Sequence, residues 1–104
     1  MPDERTTLKE AIDRYLKTLA PEVWFRKKWG GGIYQHKGDS DYMLCAYGRF
    51  GVIEAKHPIT KPELKIDQRE FQKKIMRAGG FVAEVTDLSD VVVLMEGLRQ
   101  KYER

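Results

Sequence analysis

A single cysteine, Cys45, excludes an internal disulfide framework and a cysteine-based zinc site. No apolar run is long enough to span a bilayer. The opening "MPDERTTLKE" lacks the basic-then-apolar layout of a secretion signal. These absences lead us to expect an intracellular, cytoplasmic protein with no membrane partner. There is no internal repeat and no low-complexity tail. Histidine is also scarce: His36 and His57 each stand alone in a polar loop. A surface role outweighs a metal or acid–base role for both, although His57 adjoins Lys56 and could touch DNA.

What is present fits one domain, residues 1–104, built around one core. Hydrophobic residues make up 41% and charged residues 34%, the balance of a polar globular protein. The formal charge is +3 and the isoelectric point is about 9.0, compatible with a polyanionic partner. Basic residues concentrate in "WFRKKW" (24–29), at His36 and Lys37, and in "QREFQKKIMR" (68–77). A solvated helix face is the ordinary reading of the last cluster.

"TTLKEAIDRYLKTLAP" reads as a first helix. Leu8, Ile12, Tyr15, Leu16 and Leu19 form its apolar stripe, Thr6 or Thr7 caps it, and Pro21 ends it. "EVWFRKKW" alternates as a strand, broken by Gly30, Gly31 and Gly32. "YMLCAY" (42–47) and "FGVIEA" (50–55) are apolar on both faces, as in central strands covered on both sides. Gly48 and Arg49 read as the hairpin turn between them. "HPITKPELK" reads as a loop because Pro58 and Pro62 lack a backbone donor. "DQREFQKKIMRAGG" follows as a helix with an Asp67/Glu70 capping box and Gly79 at its C-cap. "FVAEV" is a short strand, and "LSDVVVLMEGLRQKYER" is a last helix capped by Ser89 or Asp90. The order α-β-β-β-α-β-α implies an α/β fold: a small mixed sheet flanked by helices.

A turn at Gly48-Arg49 pairs Tyr47 with Phe50 and sets Asp41 across from Lys56. Glu54 then lies diagonal to Asp41 on the same face, at a Cα spacing of roughly 7–8 Å, and alternation puts Lys56 there too. A one-residue slip would undo this arrangement. Two carboxylates and an ammonium at such spacing suit phosphodiester cleavage. Carboxylate oxygens of Asp41 and Glu54 match Mg²⁺ or Mn²⁺. The backbone carbonyl of Ala55 is a further potential ligand, and Lys56 could orient water and offset transition-state charge. The plainer alternative is a salt-bridged strand end, the usual fate of a lone Glu-x-Lys, with "GDSD" (38–41) an ordinary turn.

"KGDSDYML", "VIEAK" and "DQREFQKKIMRAGG", in that order, resemble the VRR-NUC (virus-type replication-repair nuclease) branch of the PD-(D/E)xK nuclease superfamily. The likeness runs over roughly residues 7–95. Gly38 to Asp41 stand where the family has Gly-x-x-Asp, with Ser40 in place of its usual proline; Glu54 and Lys56 stand as its Glu-x-Lys, and Gln68 as its helix glutamine. The resemblance implies a restriction-endonuclease-like core and metal-dependent endonuclease activity on DNA. It further implies a catalytic set of Asp41, Glu54, Lys56 and Gln68. Glu10 is the candidate for a glutamate that a first helix often adds, although it also works as a helix-cap residue. Stand-alone viral members are similar to Holliday-junction resolvases acting as homodimers, so branched DNA is the implied substrate and a second copy the implied partner.

Arg26, Lys27, Lys28 and Lys37 are candidate phosphate contacts, although alternation turns Lys27 away from Arg26 and Lys28. Trp24, Phe25 and Trp29 suit core or dimer packing better than base stacking, and Cys45 reads as a small core residue. Beside the resolvase reading stand a nuclease for flaps, nicks or ends, a catalytically silent DNA-binding module of the same fold, and a purely structural interaction domain.

Overall fold

The computed structural model describes the backbone of residues 4–27, 41–55 and 62–103, and the side chains of these residues except 4–6 and 62–65. Among the described residues, seven elements follow in the expected order: α1 (Glu4–Lys17), β1 (Val23–Lys27), β2 (Tyr42–Ala46), β3 (Arg49–Ala55), α2 (Pro62–Arg77), β4 (Phe81–Val85) and α3 (Leu88–Tyr102). The strands form one mixed sheet in the order β1-β2-β3-β4, antiparallel except for the parallel β3–β4 pair. A parallel pair requires a crossover, and α2 supplies it. Among the described residues, no helix is long and apolar enough to cross a membrane.

The apolar stripe of α1 does what its period requires. Ile12 and Leu16 are fully buried against Tyr42, Leu44, Ala46 and Ile53 of the sheet and Val91 and Met95 of α3. Burial of each such side chain contributes roughly 1.5–3 kcal/mol. Thr7 lies within α1 instead of capping it. The helix tightens at its end, where Thr18 and Leu19 donate to the carbonyls of Tyr15 and Leu16.

The β2–β3 hairpin turns one residue earlier than its sequence suggests. Ala46 pairs with Arg49, so the two-residue loop is Tyr47-Gly48. Both loop residues have positive φ, 52° and 82°, the signature of a type I′ turn whose twist matches the strands it joins. The register shifts by two residues relative to a Gly48-Arg49 turn. Because side chains alternate with period two, each residue keeps its face.

Two helix starts also differ from the sequence reading. Helix α2 begins at Pro62, where a missing N–H costs nothing because first-turn donors have no intrahelical partner; the Asp67/Glu70 pair therefore lies inside the helix. Helix α3 is capped by Asp87, which accepts from the Asp90 N–H while the Asp90 carboxylate accepts from the Asp87 N–H. At the other end of α2, Gly79 has φ +94°. The Gly80 N–H reaches the Ile75 carbonyl and the Gly79 N–H that of Met76, a Schellman close.

The two faces of the sheet differ. Tyr42, Leu44, Ala46 and Ile53 look into the core with α1 and α3. On the opposite face α2 lies over β3 and β4, and Val52 is buried there. On that face of β2, Met43 and Cys45 are exposed, so Cys45 is not the core residue its apolar strand suggested.

Candidate active site

One step beyond the Tyr42–Ile53 pair, the ladder sets Asp41 opposite Glu54. The expected diagonal pair is thus a directly facing one, and its hydrogen bonds are reciprocal. The Asp41 N–H donates to Glu54 Oε2 at 3.1 Å, and the Ala55 N–H donates to Asp41 Oδ2 at 2.8 Å. Each strand end therefore holds the carboxylate of the other. Val52, Ile53 and Ala55, all buried, fix the Glu54 backbone from both faces of the sheet.

Gln68, from the second turn of α2, donates through Nε2 to Glu54 Oε1 at 3.1 Å. The structure thus joins three residues that the sequence placed 13 and 14 positions apart. Helix α2 gains its hold on the site by starting early: residues 62–65, read as loop, form the turn that leads to Gln68.

The fourth member comes from α1. Lys9 Nζ lies 3.0 Å from Asp41 Oδ1, and the Asp41 side chain is only 12% exposed. Sequence reasoning named Glu10 as the first-helix contributor; Glu10 is exposed, and the neighbouring Lys9 is the residue that reaches Asp41.

Behind Lys9 stands a second polar group on the core face. The Tyr42 hydroxyl lies 2.9 Å from both the Lys9 carbonyl and Asp13 Oδ1, with one proton to serve two acceptors. Asp13 Oδ2 pairs with Lys27 Nζ at 2.7 Å. Burial, and then the hydrogen bond to Asp13, push the Tyr42 hydroxyl far above the ordinary tyrosine range. Tyr42 therefore stays protonated and ties the turn of α1 bearing Lys9 to the strand that begins beside Asp41. Lys9, Asp13 and Tyr42 were missed from sequence. Lys9 and Asp13 are four apart on the polar flank of the Leu8/Ile12 stripe, a spacing that puts both on one side of the helix. Nothing local says which strand that side meets.

Of the candidate nucleic-acid contacts, Arg26 is exposed, with its guanidinium 5.7 Å from the Trp24 ring centre. Trp24 is 56% exposed, so it is not a core residue of this chain. Phe25 packs inward beside Tyr42, with ring centres 6.1 Å apart. Lys27 turns from Arg26 to Asp13, as alternation required. Lys28, Trp29, His36, Lys37, Gly38, Ser40, Lys56 and His57 lie outside the described residues.

All four carboxylate oxygens of Asp41 and Glu54 are engaged by a donor. A hard, oxygen-only pair of this kind fits Mg²⁺ or Mn²⁺ in its chemistry, with the Ala55 carbonyl as a further potential ligand. Among the described residues, no group of three or more histidines, cysteines or acidic residues converges. Comparison with protein-family models, curated proteins and solved structures yields no match to this chain.

Proposed function

We propose that this chain is a Mg²⁺- or Mn²⁺-dependent, structure-selective DNA endonuclease with a restriction-endonuclease-like core, acting as a homodimer on branched DNA. The observation that carries the reading is the facing Asp41–Glu54 pair, each carboxylate held by the other strand's N–H, with Gln68 on Glu54. Salt-bridged strand ends need no such convergence of two carboxylates from one face. The resemblance of "KGDSDYML", "VIEAK" and "DQREFQKKIMRAGG" to VRR-NUC nucleases supports the same assignment.

In this reading Asp41 and Glu54 hold the cation, which when bound supplies Lewis-acid activation of the phosphodiester and of water. Gln68 fixes the rotamer of Glu54. Lys56 is assigned from its place two residues after Glu54; it orients the nucleophile and offsets charge in the transition state. Arg26, Lys28, Lys37 and His57 are assigned to the DNA backbone.

The test is a labelled four-way junction incubated with Mg²⁺, beside flap, nicked and blunt duplexes. Wild type is expected to cut the junction fastest, and Asp41→Asn and Lys56→Ala to lose the activity. Equal cutting by both variants refutes the site. Binding without a metal-dependent product refutes the enzyme and leaves a DNA-binding module. Faster cutting of flaps or nicks reassigns the substrate.

A further inference from the structure

Asp41 already has a cation. Lys9 sits on Oδ1 while the Ala55 N–H takes Oδ2 and the Asp41 N–H points at Glu54. Its position is built into the fold, because the Lys9 carbonyl lies within hydrogen-bonding distance of the buried Tyr42 hydroxyl, one residue from Asp41. The same turn of helix is thus tied to the strand by its backbone and to the carboxylate by its side chain. The Lys9 side chain is 34% exposed, so it has a solvent path along which to withdraw. Lysine suits such a role: its ammonium rides on a flexible stem and swings away without moving the helix.

We infer that Lys9 is a positioning residue that holds the place of the divalent cation at Asp41 and sets the concentration at which that cation binds. This inference rests on the metal-site reading above. Metal-free, the ammonium neutralises one of two neighbouring carboxylates and keeps Asp41 in its binding rotamer. For the cation to be bound, Lys9 yields Asp41 Oδ1. A charge at 3.0 Å from the ligand atom opposes a second cation there by simple Coulomb repulsion. Lys9 therefore lowers affinity while it protects the empty site from self-repulsion.

The test is Mn²⁺ binding to the full chain, read from the electron paramagnetic resonance of free Mn²⁺, for wild type, Lys9→Met, Lys9→Gln and Lys9→Arg. Both neutral variants are expected to bind Mn²⁺ about three- to ten-fold more tightly, the scale of one partly screened charge pair. Lys9→Arg is expected to bind as wild type does. Thermal unfolding in chelator should show the converse, with the neutral variants losing stability that Mn²⁺ restores. Neutral variants that bind no more tightly than wild type overturn the inference while leaving the metal site intact. If neither wild type nor the neutral variants bind Mn²⁺, the metal site itself falls, and the inference with it. Binding by the neutral variants alone supports both.

Discussion

Replacing Glu54 by glutamine and by leucine separates chemistry from stability. Glu54 accepts hydrogen bonds from the Asp41 N–H at 3.1 Å and from Gln68 Nε2 at 3.1 Å. Leucine leaves both donors facing an apolar group in a half-buried site. Losing two bonds to an ionised acceptor there costs about 2–4 kcal/mol together. Glutamine behaves differently. Its carbonyl oxygen can face the Asp41 N–H, and its NH₂ can face Gln68, whose own amide flips to present oxygen. Both bonds survive, and one of two adjacent like charges is gone. Glu54→Gln is therefore expected to cost about 1 kcal/mol or less by urea unfolding in chelator, yet to lower Mg²⁺-dependent cleavage by about 10²-fold or more. Equal destabilisation by glutamine and leucine would refute the amide-exchange reasoning. Undiminished cleavage by Glu54→Gln would refute the ligand role.

Three further outcomes follow from the geometry. Gly51→Ala drives a Cβ into the Phe81 ring; it should cost about 1–3 kcal/mol, and Phe81→Leu in the same chain should recover part of that loss in urea unfolding. Tyr42 has its pKa raised from 10.0 by burial and then by Asp13, so its contribution is present below pH 10 and is lost as pH rises above it, where the unfolded tyrosine ionises and the folded one does not. Tyr42→Phe should flatten the fall in the urea midpoint between about pH 9 and pH 11 without abolishing it, because burial also raises Tyr15 and Tyr47. Asp90 is held below its ordinary 3.8 by the N–H of Thr86, then by the Thr86 hydroxyl and the Asp87 N–H. That support for the start of α3 is present above the ordinary carboxylate value and disappears as pH falls below it; protection of the Val91–Val93 amides, taken relative to the intrinsic exchange rate at each pH, should fall in acid, and Asp90→Asn should keep that protection low at both ends of the titration.

The order of elements was legible because each carries its own period: 3.6 in Leu8, Ile12 and Leu16, two in Val23 to Lys27. The boundaries were less so. Tyr47 is an unpromising residue at positive φ and hid the I′ turn behind the more conventional Gly48-Arg49. Pro62 read as loop for want of a backbone donor, although the first turn of a helix is where that lack is harmless. The site survived these errors for a physical reason. The register error was two residues, which preserves the face, so Asp41 and Glu54 still met. Gln68 was named only through a family likeness; as a sequence position it is one polar residue among many. Lys9 was illegible because its role depends on how α1 lies on β2, a packing decision made by Ile12, Leu16 and Tyr42 together. Cys45 and Trp24 failed for a related reason: an apolar strand does not say that α2 leaves part of one face uncovered.

The most direct measurement of the central claim is anomalous diffraction from crystals of this protein soaked in Mn²⁺. A Mn²⁺ peak bonded to both the Asp41 and Glu54 carboxylates, with the Lys9 ammonium withdrawn from Asp41 Oδ1, is the predicted result. A Mn²⁺-saturated crystal in which Lys9 still occupies Asp41 and no metal touches Glu54 would contradict it.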